Sequence, residues 1–467
     1  MRNVISMGGL IVVALTAMAV TSVAHSDKDH EDLRHWEIAS DDPDRIFLSF
    51  YADPATSRAV SWRTAKDRRA KPCAEIGKAL GGPGFINNLT RLEAKTVTVD
   101  MDYYHGNEQG DVNYHSVIFE NLEPETLYAY RVGDGDERWS EWIQFRTASR
   151  EKKPFSFVYF GDAQNDVLSH WSRTIRMAYQ TAPKASFALH AGDLINRAHS
   201  DVEWAGWFKA GGFLHAQWSG VPVTGNHEYR KDKKKKEDIL SLQWRPQFTL
   251  PVVSELPKEL HETVYTVEYQ GAQLIVLNSN ELLEEQTDYL EKQLKKPGYD
   301  WRFVTFHHSI HSPRRGYSSS DPKVTHWQPL FEKYNVDLVL QGHDHSYTRG
   351  QTPVRKGSGF VKDSFQTMYV TTVSGPKQYA LNAEHMKAFP KTGLKTLRNG
   401  EQTQFFQVIS IDGNELTYQA YTSTGELYDE ALITKNLKSG AKTIKQNVPD
   451  VEVRTFKNTP GTENSHE

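Results

Sequence analysis

Residues 155–164 read Phe-Ser-Phe-Val-Tyr-Phe-Gly-Asp-Ala-Gln, an apolar run that ends in a glycine and a carboxylate. Such a run predicts a buried strand. Gly161, which has no Cβ, is expected to let the backbone and the Asp162 carboxylate approach a cation closely. A strand followed by Gly-Asp is common and by itself predicts only a turn. Its meaning depends on four further motifs downstream.

Each of the four further motifs also follows an apolar, strand-like run. They are Gly192-Asp193, Gly225-Asn226-His227-Glu228, His307-His308 and Gly342-His343-Asp344-His345. Taken singly, the second predicts a loop that caps a helix and the last a surface turn. Because side chains at the ends of several strands can converge, carboxylate, amide and imidazole groups in this order predict a site for two adjacent metal ions. Since one carboxylate can bridge two ions, we choose Asp193 as the bridge.

The region around these motifs predicts a layered α/β domain over residues 154–435, because apolar runs alternate with amphipathic stretches. The apolar runs cover residues 155–160, 185–189, 221–223, 274–277, 303–306 and 336–340, and the amphipathic stretches cover 171–180, 284–295 and 326–334. Strands are predicted again within 366–434, with a hairpin turn at Asp412-Gly413, and should extend the sheet of this domain. Trp204, Trp207 and Phe208, at helical spacing, are predicted core residues.

Residues 41–149 have a different pattern of short β-rich runs separated by polar turns, which predicts an all-β sandwich. The runs cover residues 45–50, 57–62, 94–99, 114–119, 126–132 and 142–147. The segment 122–128, Leu-Glu-Pro-Glu-Thr-Leu-Tyr, resembles part of a fibronectin type III module. No cluster of His, Asp or Cys marks chemistry in this region.

The beginning of the chain predicts export. An apolar stretch at residues 10–20 is followed by Ser22-Val23-Ala24, so residues 1–24 are typical of a signal peptide cleaved after Ala24, with an uncleaved anchor as the alternative. No later segment is apolar enough to cross a membrane. A single cysteine, Cys73, excludes an internal disulfide and favours a periplasmic or secreted bacterial protein. A net charge of −4 does not favour nucleic-acid binding. Residues 25–37 and 449–467 are predicted to be flexible ends.

Together the five motifs resemble the calcineurin-like metallophosphoesterase superfamily, and the preceding sandwich is similar to the arrangement in purple acid phosphatases. The resemblance covers about residues 41–435 and implies a four-layer αββα fold with two mixed sheets between helices. It implies that a first ion is bound by Asp162, Asp193 and His345, and a second by Asp193, Asn226, His307 and His343. Such oxygen and nitrogen ligands suit two divalent ions of Zn, Mn or Fe.

The sequence departs from these families at two positions. Purple acid phosphatases carry a tyrosine that binds ferric iron three residues after the second aspartate, and here that position is Asn196. The protein is therefore not expected to be purple or to hold a stable Fe(III) ion. Gln164 replaces a metal-binding histidine of many relatives. Its amide oxygen could take that coordination position, or the side chain could support the ligands without contacting the metal.

The resemblance implies an exported phosphomonoesterase that attacks a small phosphate ester with hydroxide formed at the metal pair. His227 resembles the family histidine that protonates the leaving group or stabilises the transition state. His308 and His311 are candidate substrate contacts, with a structural role as the equal alternative. The basic loop at residues 314–317 and the lysine-rich run at 231–236 predict solvated surface, with anion binding as the alternative. Competing functions are a phosphodiesterase of nucleotides or lipid head groups, and an inactive surface-binding protein.

Overall fold

The computed structural model describes residues 34–66, 71–101, 110–231, 237–357, 359–361 and 365–457. The predicted signal peptide, most of the lysine-rich run and residues 458–467 lie outside these ranges. Within them, no helix combines the length and the apolar character needed to span a bilayer. Residues near the described end contact the rest of the chain, since Phe456 N–H donates to Glu401 Oε2 at 2.8 Å.

The N-terminal region is a β-sandwich, as predicted. Its strands are β1 Asp44–Ser49, β2 Arg58–Ala65, β3 Cys73–Lys78, β4 Thr90–Glu93, β5 Lys95–Asp100, β6 Asp111–Phe119, β7 Leu127–Gly133 and β8 Ile143–Arg146. One layer has the order β1-β2-β6-β5 and the other β4-β3-β7-β8. Trp62 and Phe119 of the first layer pack against Tyr130 and Phe145 of the second. Sequence patterning missed β3 and β4, because β4 is exposed and β3 lacks a β-branched run. The fibronectin type III identity stays a prediction.

The first half of the α/β region brings parallel strands into the same sheet. Its elements are β9 Phe155–Phe160, α1 Val167–Thr181, β10 Phe187–His190, α2 Asp201–Gly211, α3 Phe213–Gln217, β11 Ser219–Pro222, β12 Tyr229–Lys231, β13 Asp238–Leu240 and α4 Trp244–Gln247. Strands β9, β10 and β11 are parallel neighbours. Trp204 and Trp207 are fully buried and Phe208 is nearly so, which confirms that all three are core residues.

The second half builds the other sheet and then returns to the first. Its elements are β14 Tyr265–Tyr269, β15 Ala272–Val276, α5 Glu285–Lys295, β16 Trp301–Thr305, α6 Gln328–Lys333, β17 Leu338–Gln341, β18 Tyr347–Gln351, β19 Arg355–Lys356, β20 Gly359–Phe360, β21 Met368–Thr371, α7 Ala383–Thr392, β22 Lys395–Gly400, β23 Phe405–Asp412, β24 Glu415–Thr422, β25 Leu427–Lys435 and β26 Lys442–Gln446. A π-helical turn, Lys323–Trp327, precedes α6. The predicted Asp412-Gly413 hairpin joins β23 to β24.

Two mixed sheets lie face to face between helices, which confirms the four-layer αββα fold. The first sheet has 11 strands in the order β26-β25-β24-β23-β9-β10-β11-β1-β2-β6-β5, and the second has seven in the order β14-β15-β16-β17-β21-β18-β22. Phe157 of the first sheet packs against Phe303 of the second. Helices α1 and α2 pack on the first sheet, while α5, α6 and α7 contribute buried side chains to a cluster on the second.

The sandwich and the α/β region are continuous through the first sheet, an arrangement that sequence patterning did not predict. Strand β1 pairs in parallel with β11, with Ser49 opposite Gly220. Buried ion pairs add to this contact: Arg45 Nη1 lies 2.7 Å from Asp201 Oδ1, and Arg63 Nη1 lies 3.0 Å from Asp201 Oδ2. Removing one partner of such a network leaves a buried charge unpaired, which costs about 3–5 kcal/mol.

Three buried histidines are held in their neutral form. Burial lowers the pKa of His115 to about 4 and that of His215 to about 3, and it lowers the pKa of His190 well below its usual value. The ring of His215 stacks on Trp207 with centroids 3.8 Å apart. In the unfolded chain these groups regain a pKa near 6.5. Protonation therefore favours the unfolded chain as the pH falls below that value.

Acid destabilisation is the expected result. The contribution of neutral His115 and His215 is fully present above pH 6.5 and is lost as the pH falls towards 4 and 3 respectively, at about 1.4 kcal/mol per pH unit for each group. Denaturant unfolding at pH 7 and pH 5 measures this slope. His115→Gln should reduce it, whereas the same change at exposed His170 should not. Equal slopes for wild type and His115→Gln would contradict the assignment.

Candidate metal centre

The five motifs meet at the carboxyl ends of parallel strands from both sheets. Asp162, Asp193 and Asn226 follow β9, β10 and β11, while His307 follows β16, and His343 and His345 follow β17. Because the two sheets lie face to face, their strand ends bring carboxylates and an amide from one sheet close to imidazoles from the other. Gly161 is needed for a different reason than expected: a Cβ there would lie 1.9 Å from the Thr372 carbonyl oxygen, so the glycine permits strand packing.

A first group of ligand atoms comprises Asp162, Asp193 and His345, whose donor atoms all lie within 4.8 Å of one another. His345 Nδ1 donates to the Lys377 carbonyl at 2.9 Å, so its Nε2 carries the lone pair. That Nε2 lies 3.2 Å from Asp162 Oδ2. Asp162 Oδ2 is buried and accepts no hydrogen bond from the described residues. A cation between the two atoms satisfies both.

A second group comprises Asp193, His307 and His343, again with donor atoms within 4.8 Å of one another. His307 Nδ1 donates to the Ala191 carbonyl at 2.9 Å, so Nε2 is the ring nitrogen that faces the other ligands. His307 Nε2 lies 3.2 Å from Asn226 Oδ1 and 3.2 Å from His343 Nδ1. Carboxylate, amide oxygen and imidazole atoms therefore converge on one position, which fits a second divalent ion.

Asp193 belongs to both groups, as the choice of a bridging residue requires. Its Oδ1 accepts the backbone N–H of His227 at 2.9 Å. Its Oδ2 lies 3.2 Å from His307 Nε2. Asp193 is thus the residue that would be shared by two ions. The approach of this loop to the next depends on Gly225, where a Cβ would lie 2.1 Å from Asp193 Oδ1.

The charges in the centre suit cation binding. Burial alone would lower the pKa of His307, but the carboxylates of Asp193 and Asp162 outweigh it and raise the pKa to about 10. Burial raises the pKa of Asp162 to about 7. Burial also lowers the pKa of His345 to about 3 and drives that of His343 lower still, so both rings are neutral and offer lone pairs. Two buried carboxylates beside neutral imidazoles call for compensating positive charge.

Gln164 is fully buried and adjoins both groups. Its Nε2 donates to Asp193 Oδ2 at 2.8 Å and lies 3.4 Å from His345 Nε2. The amide nitrogen, and not the oxygen considered as a ligand, thus meets the shared carboxylate. In this arrangement Gln164 orients Asp193.

His227 has the geometry of a group that serves the reaction without binding metal. Its Nδ1 donates to the backbone carbonyl of Asn196 at 2.6 Å, so Nε2 is the free ring nitrogen. That Nε2 lies 3.9 Å from Asp193 Oδ2, and the side chain is 26% exposed, so a substrate can reach it. Asn196, at the position of the family tyrosine, thus contributes its main chain to the site.

The other two candidate substrate contacts have different surroundings. His308 lies next to the ligand His343, since their ring centroids are 4.3 Å apart. Its Nδ1 lies 2.9 Å from Ser279 Oγ. His311 is buried, and its ring lies 5.1 Å from that of Tyr317 and 4.9 Å from that of Tyr369. Neither ring nitrogen of His311 has a hydrogen-bond partner among the described residues. The structure brings His308, but not His311, to the ligand cluster.

Two acidic residues hold the loops of the centre, and sequence reasoning assigned them no role. The buried Glu228 carboxylate accepts the N–H groups of Asp193 at 2.9 Å, Leu194 at 2.8 Å and Gly225 at 2.7 Å. Buried Asp344 accepts a hydrogen bond from Ser312 and pairs with Arg315. The sequence offered one clue to this role: both acids lie inside motifs that contain ligands. An acid in that position can accept hydrogen bonds from the loop backbone instead of binding metal.

Comparison with known proteins agrees with this geometry. Residues 43–147 match the family model for the purple acid phosphatase N-terminal domain, and residues 155–347 match that for calcineurin-like phosphoesterases. An uncharacterized protein of Mycobacterium tuberculosis is 25% identical over 351 residues, which cover 67% of this chain and 63% of that protein. The chain therefore spans less than two thirds of the length of this relative.

Plant enzymes are similar to a comparable degree. Purple acid phosphatase 1 of Ipomoea batatas is 25% identical over 71% of each chain, and Fe(3+)-Zn(2+) purple acid phosphatase 12 of Arabidopsis thaliana is 24% identical over 70% of this chain and 74% of its own. The solved structure of purple acid phosphatase PPD1 from yellow lupin seeds has a TM-score of 0.70 at 18% identity, covering 85% of this chain and 75% of that one. This chain is therefore similar to a purple acid phosphatase N-terminal domain over residues 43–147 and to a calcineurin-like phosphoesterase over residues 155–347.

Proposed function

We propose that this protein is a two-metal phosphoester hydrolase, and that its natural substrates are small phosphate monoesters. The observation that carries the proposal is the pair of ligand groups that share buried Asp193. The relatives named as purple acid phosphatases support the same reaction class. Asp162, Asp193 and His345 would hold one ion, and Asp193, Asn226, His307 and His343 the other. The absence of tyrosine at Asn196 favours a colourless pair of divalent ions.

The two ligand groups would hold cations, whose charge would neutralise the oxygens of a phosphate ester and acidify a water molecule. Side chains of the protein would orient the ligands and supply a proton. Burial opposes the ionisation of Asp193, but the neighbouring His307 lowers the pKa of this carboxyl, so that it is ionised before any cation binds. Gln164 and the backbone N–H of His227 hold the Asp193 carboxylate in one orientation. His227 Nε2, directed towards the centre, would supply a proton to the leaving alcohol.

A cleft of about 420 Å³ opens on the ligand Asn226. This volume suits a small ester. Polar side chains line it: Asn226, Tyr229, Asp238, Ser279, Asn280, Glu281, His308 and Lys323. Tyr229 and Glu281 are joined by a 2.7 Å hydrogen bond, so part of the wall is already fixed. The cleft would give a small ester access to the centre, with His308 in its wall.

Turnover of two chromogenic esters tests the proposal. The purified, metal-loaded protein should hydrolyse p-nitrophenyl phosphate at least about 100-fold faster, in kcat/KM, than bis-p-nitrophenyl phosphate, because two cations match a dianionic phosphoryl group better than a monoanionic one. Preference for the diester would favour a phosphodiesterase. No turnover of either ester, with two metal ions per chain confirmed by elemental analysis, would favour a binding protein.

We also propose export to the periplasm or the medium. The proposal rests on residues 1–24, whose basic start, apolar stretch and small residues before His25 are typical of a cleaved signal. Export would place the enzyme where phosphate esters from the environment are available. Determination of the N-terminus of the protein from its native host tests this, since export with cleavage predicts that the mature chain begins at His25.

A further inference from the structure

Three cations surround one tyrosine beside the metal centre. The ring centroids of Tyr379 and His345 lie 4.6 Å apart. The backbone N–H of Tyr379 donates to the His345 carbonyl at 2.8 Å. Around the Tyr379 ring, Lys377 Nζ lies at 5.6 Å, Arg315 Cζ at 5.7 Å and Arg314 Cζ at 5.8 Å from its centroid. We call Arg314, Arg315, Lys377 and Tyr379 the Tyr379 cluster.

The positive charge of this cluster is only partly compensated. Arg315 pairs with the buried carboxylate of Asp344. Within the parts of the chain that the structure describes, neither the Arg314 guanidinium nor the Lys377 ammonium forms an ion pair with a carboxylate. Arg314 and Lys377 are both partly exposed. Two uncompensated cations beside a site for an anionic substrate create a local field that attracts further negative charge.

The cluster is held in place by the metal ligands and their loops. The Lys377 carbonyl accepts the Nδ1–H of His345 at 2.9 Å. The Arg314 N–H donates to Asp344 Oδ2 at 3.3 Å, and the Arg314 carbonyl accepts from His385 Nδ1 at 2.7 Å. The backbones that carry the two cations are therefore fixed next to His345. The residues that line the cleft beside Asn226 do not include any member of the cluster, so the cluster is a separate surface next to His345.

We propose that the Tyr379 cluster binds a second anionic group of the substrate, so that the preferred monoesters carry a carboxylate or another phosphate besides the reacting one. This inference rests on the proposed function. A guanidinium offers paired N–H donors to an oxyanion and an ammonium adds a point charge, while the Tyr379 hydroxyl can donate one further hydrogen bond. Because the cations are partly exposed, the gain in kcat/KM should be about tenfold at low salt and smaller at high salt.

A matched pair of esters tests whether a second anionic group on the substrate raises kcat/KM. Glycerol 3-phosphate and 3-phosphoglycerate share the reacting phosphate and differ in a hydroxymethyl group against a carboxylate. Wild-type metal-loaded protein should prefer 3-phosphoglycerate about tenfold in kcat/KM, mostly through KM. In the double variant Arg314→Gln/Lys377→Gln, kcat/KM should fall for 3-phosphoglycerate at least about fivefold more than for glycerol 3-phosphate. Lys292→Gln, on α5 and paired with Glu255, controls for the loss of an exposed positive charge outside the cluster.

Calorimetric binding of the same two compounds gives a second readout that needs no turnover. Tighter binding of 3-phosphoglycerate to wild type, lost in the double variant but kept in Lys292→Gln, supports the Tyr379 cluster. Equal affinities and equal kcat/KM in wild type overturn it, as does a preference that survives in the double variant. If neither ester is hydrolysed, the proposed function fails, while the ratio of the two dissociation constants still decides the role of the cluster.

Discussion

Asp193→Ala is expected to bind neither metal ion and to lose at least about 1,000-fold in kcat/KM, because a metal pair contributes several kcal/mol to phosphoryl transfer. The reason is that Asp193 belongs to both ligand groups, whereas every other acidic or histidine ligand belongs to one. The substitution also removes Oδ1, which accepts the His227 N–H. Elemental analysis of dialysed protein and steady-state kinetics measure the two losses.

Two further substitutions sharpen this result. Asp193→Asn keeps an oxygen that can accept the His227 N–H but removes the negative charge, so metal loss in this variant is due to charge and not to a displaced loop. Asp412→Asn, in an exposed hairpin turn, is the matched control and should keep both ions. Two ions per chain and wild-type turnover in Asp193→Ala would show that the bridging assignment is wrong.

His227→Asn is expected to keep both metal ions and to lower kcat by about 100- to 10,000-fold for alkyl phosphates, the usual contribution of general acid catalysis. An asparagine amide can still donate to the Asn196 carbonyl that now accepts from Nδ1. It has nothing in place of Nε2, the nitrogen that faces the centre. The loss should be much smaller for p-nitrophenyl phosphate, because p-nitrophenolate leaves without a proton.

The dependence on the leaving group separates proton transfer from other roles of His227. Comparable losses for glycerol 3-phosphate and p-nitrophenyl phosphate would mean that His227 stabilises the phosphoryl group and does not protonate the alcohol. Loss of metal would mean that the residue supports the ligands. His170→Asn, on the exposed side of α1, should leave metal content and both rates as in wild type.

Much of the α/β architecture could be predicted because local pattern and environment agree. The amphipathic stretch at residues 171–180 lies within α1, and the run at 155–160 coincides with β9. Strand β4 was missed because its side chains are mostly exposed and leave no apolar alternation. Helix α7 was missed because it contributes only Phe389 as a fully buried residue and contains Pro390 near its end.

The residues of the candidate site were predictable to different degrees for a physical reason. Ligands such as Asp193 and His307 can be identified because metal binding demands particular atoms at strand ends, and those atoms belong to short motifs. Residues that support the ligands have no such signature. Glu228 could have bound metal as plausibly as it binds three backbone N–H groups, and only the fold shows which it does.

The sequence by itself indicated the candidate ligands and a layered α/β domain, since these follow from short motifs at strand ends and from apolar patterning, while the αββα class and the departure at Asn196 followed from the resemblance to known families. Tertiary structure decided the rest. It placed Asp193 in both ligand groups, turned the nitrogen of Gln164 towards Asp193 Oδ2, buried His311 among aromatic rings and gathered Arg314 and Lys377 around Tyr379. These features depend on contacts between segments far apart in the chain, which no local pattern encodes.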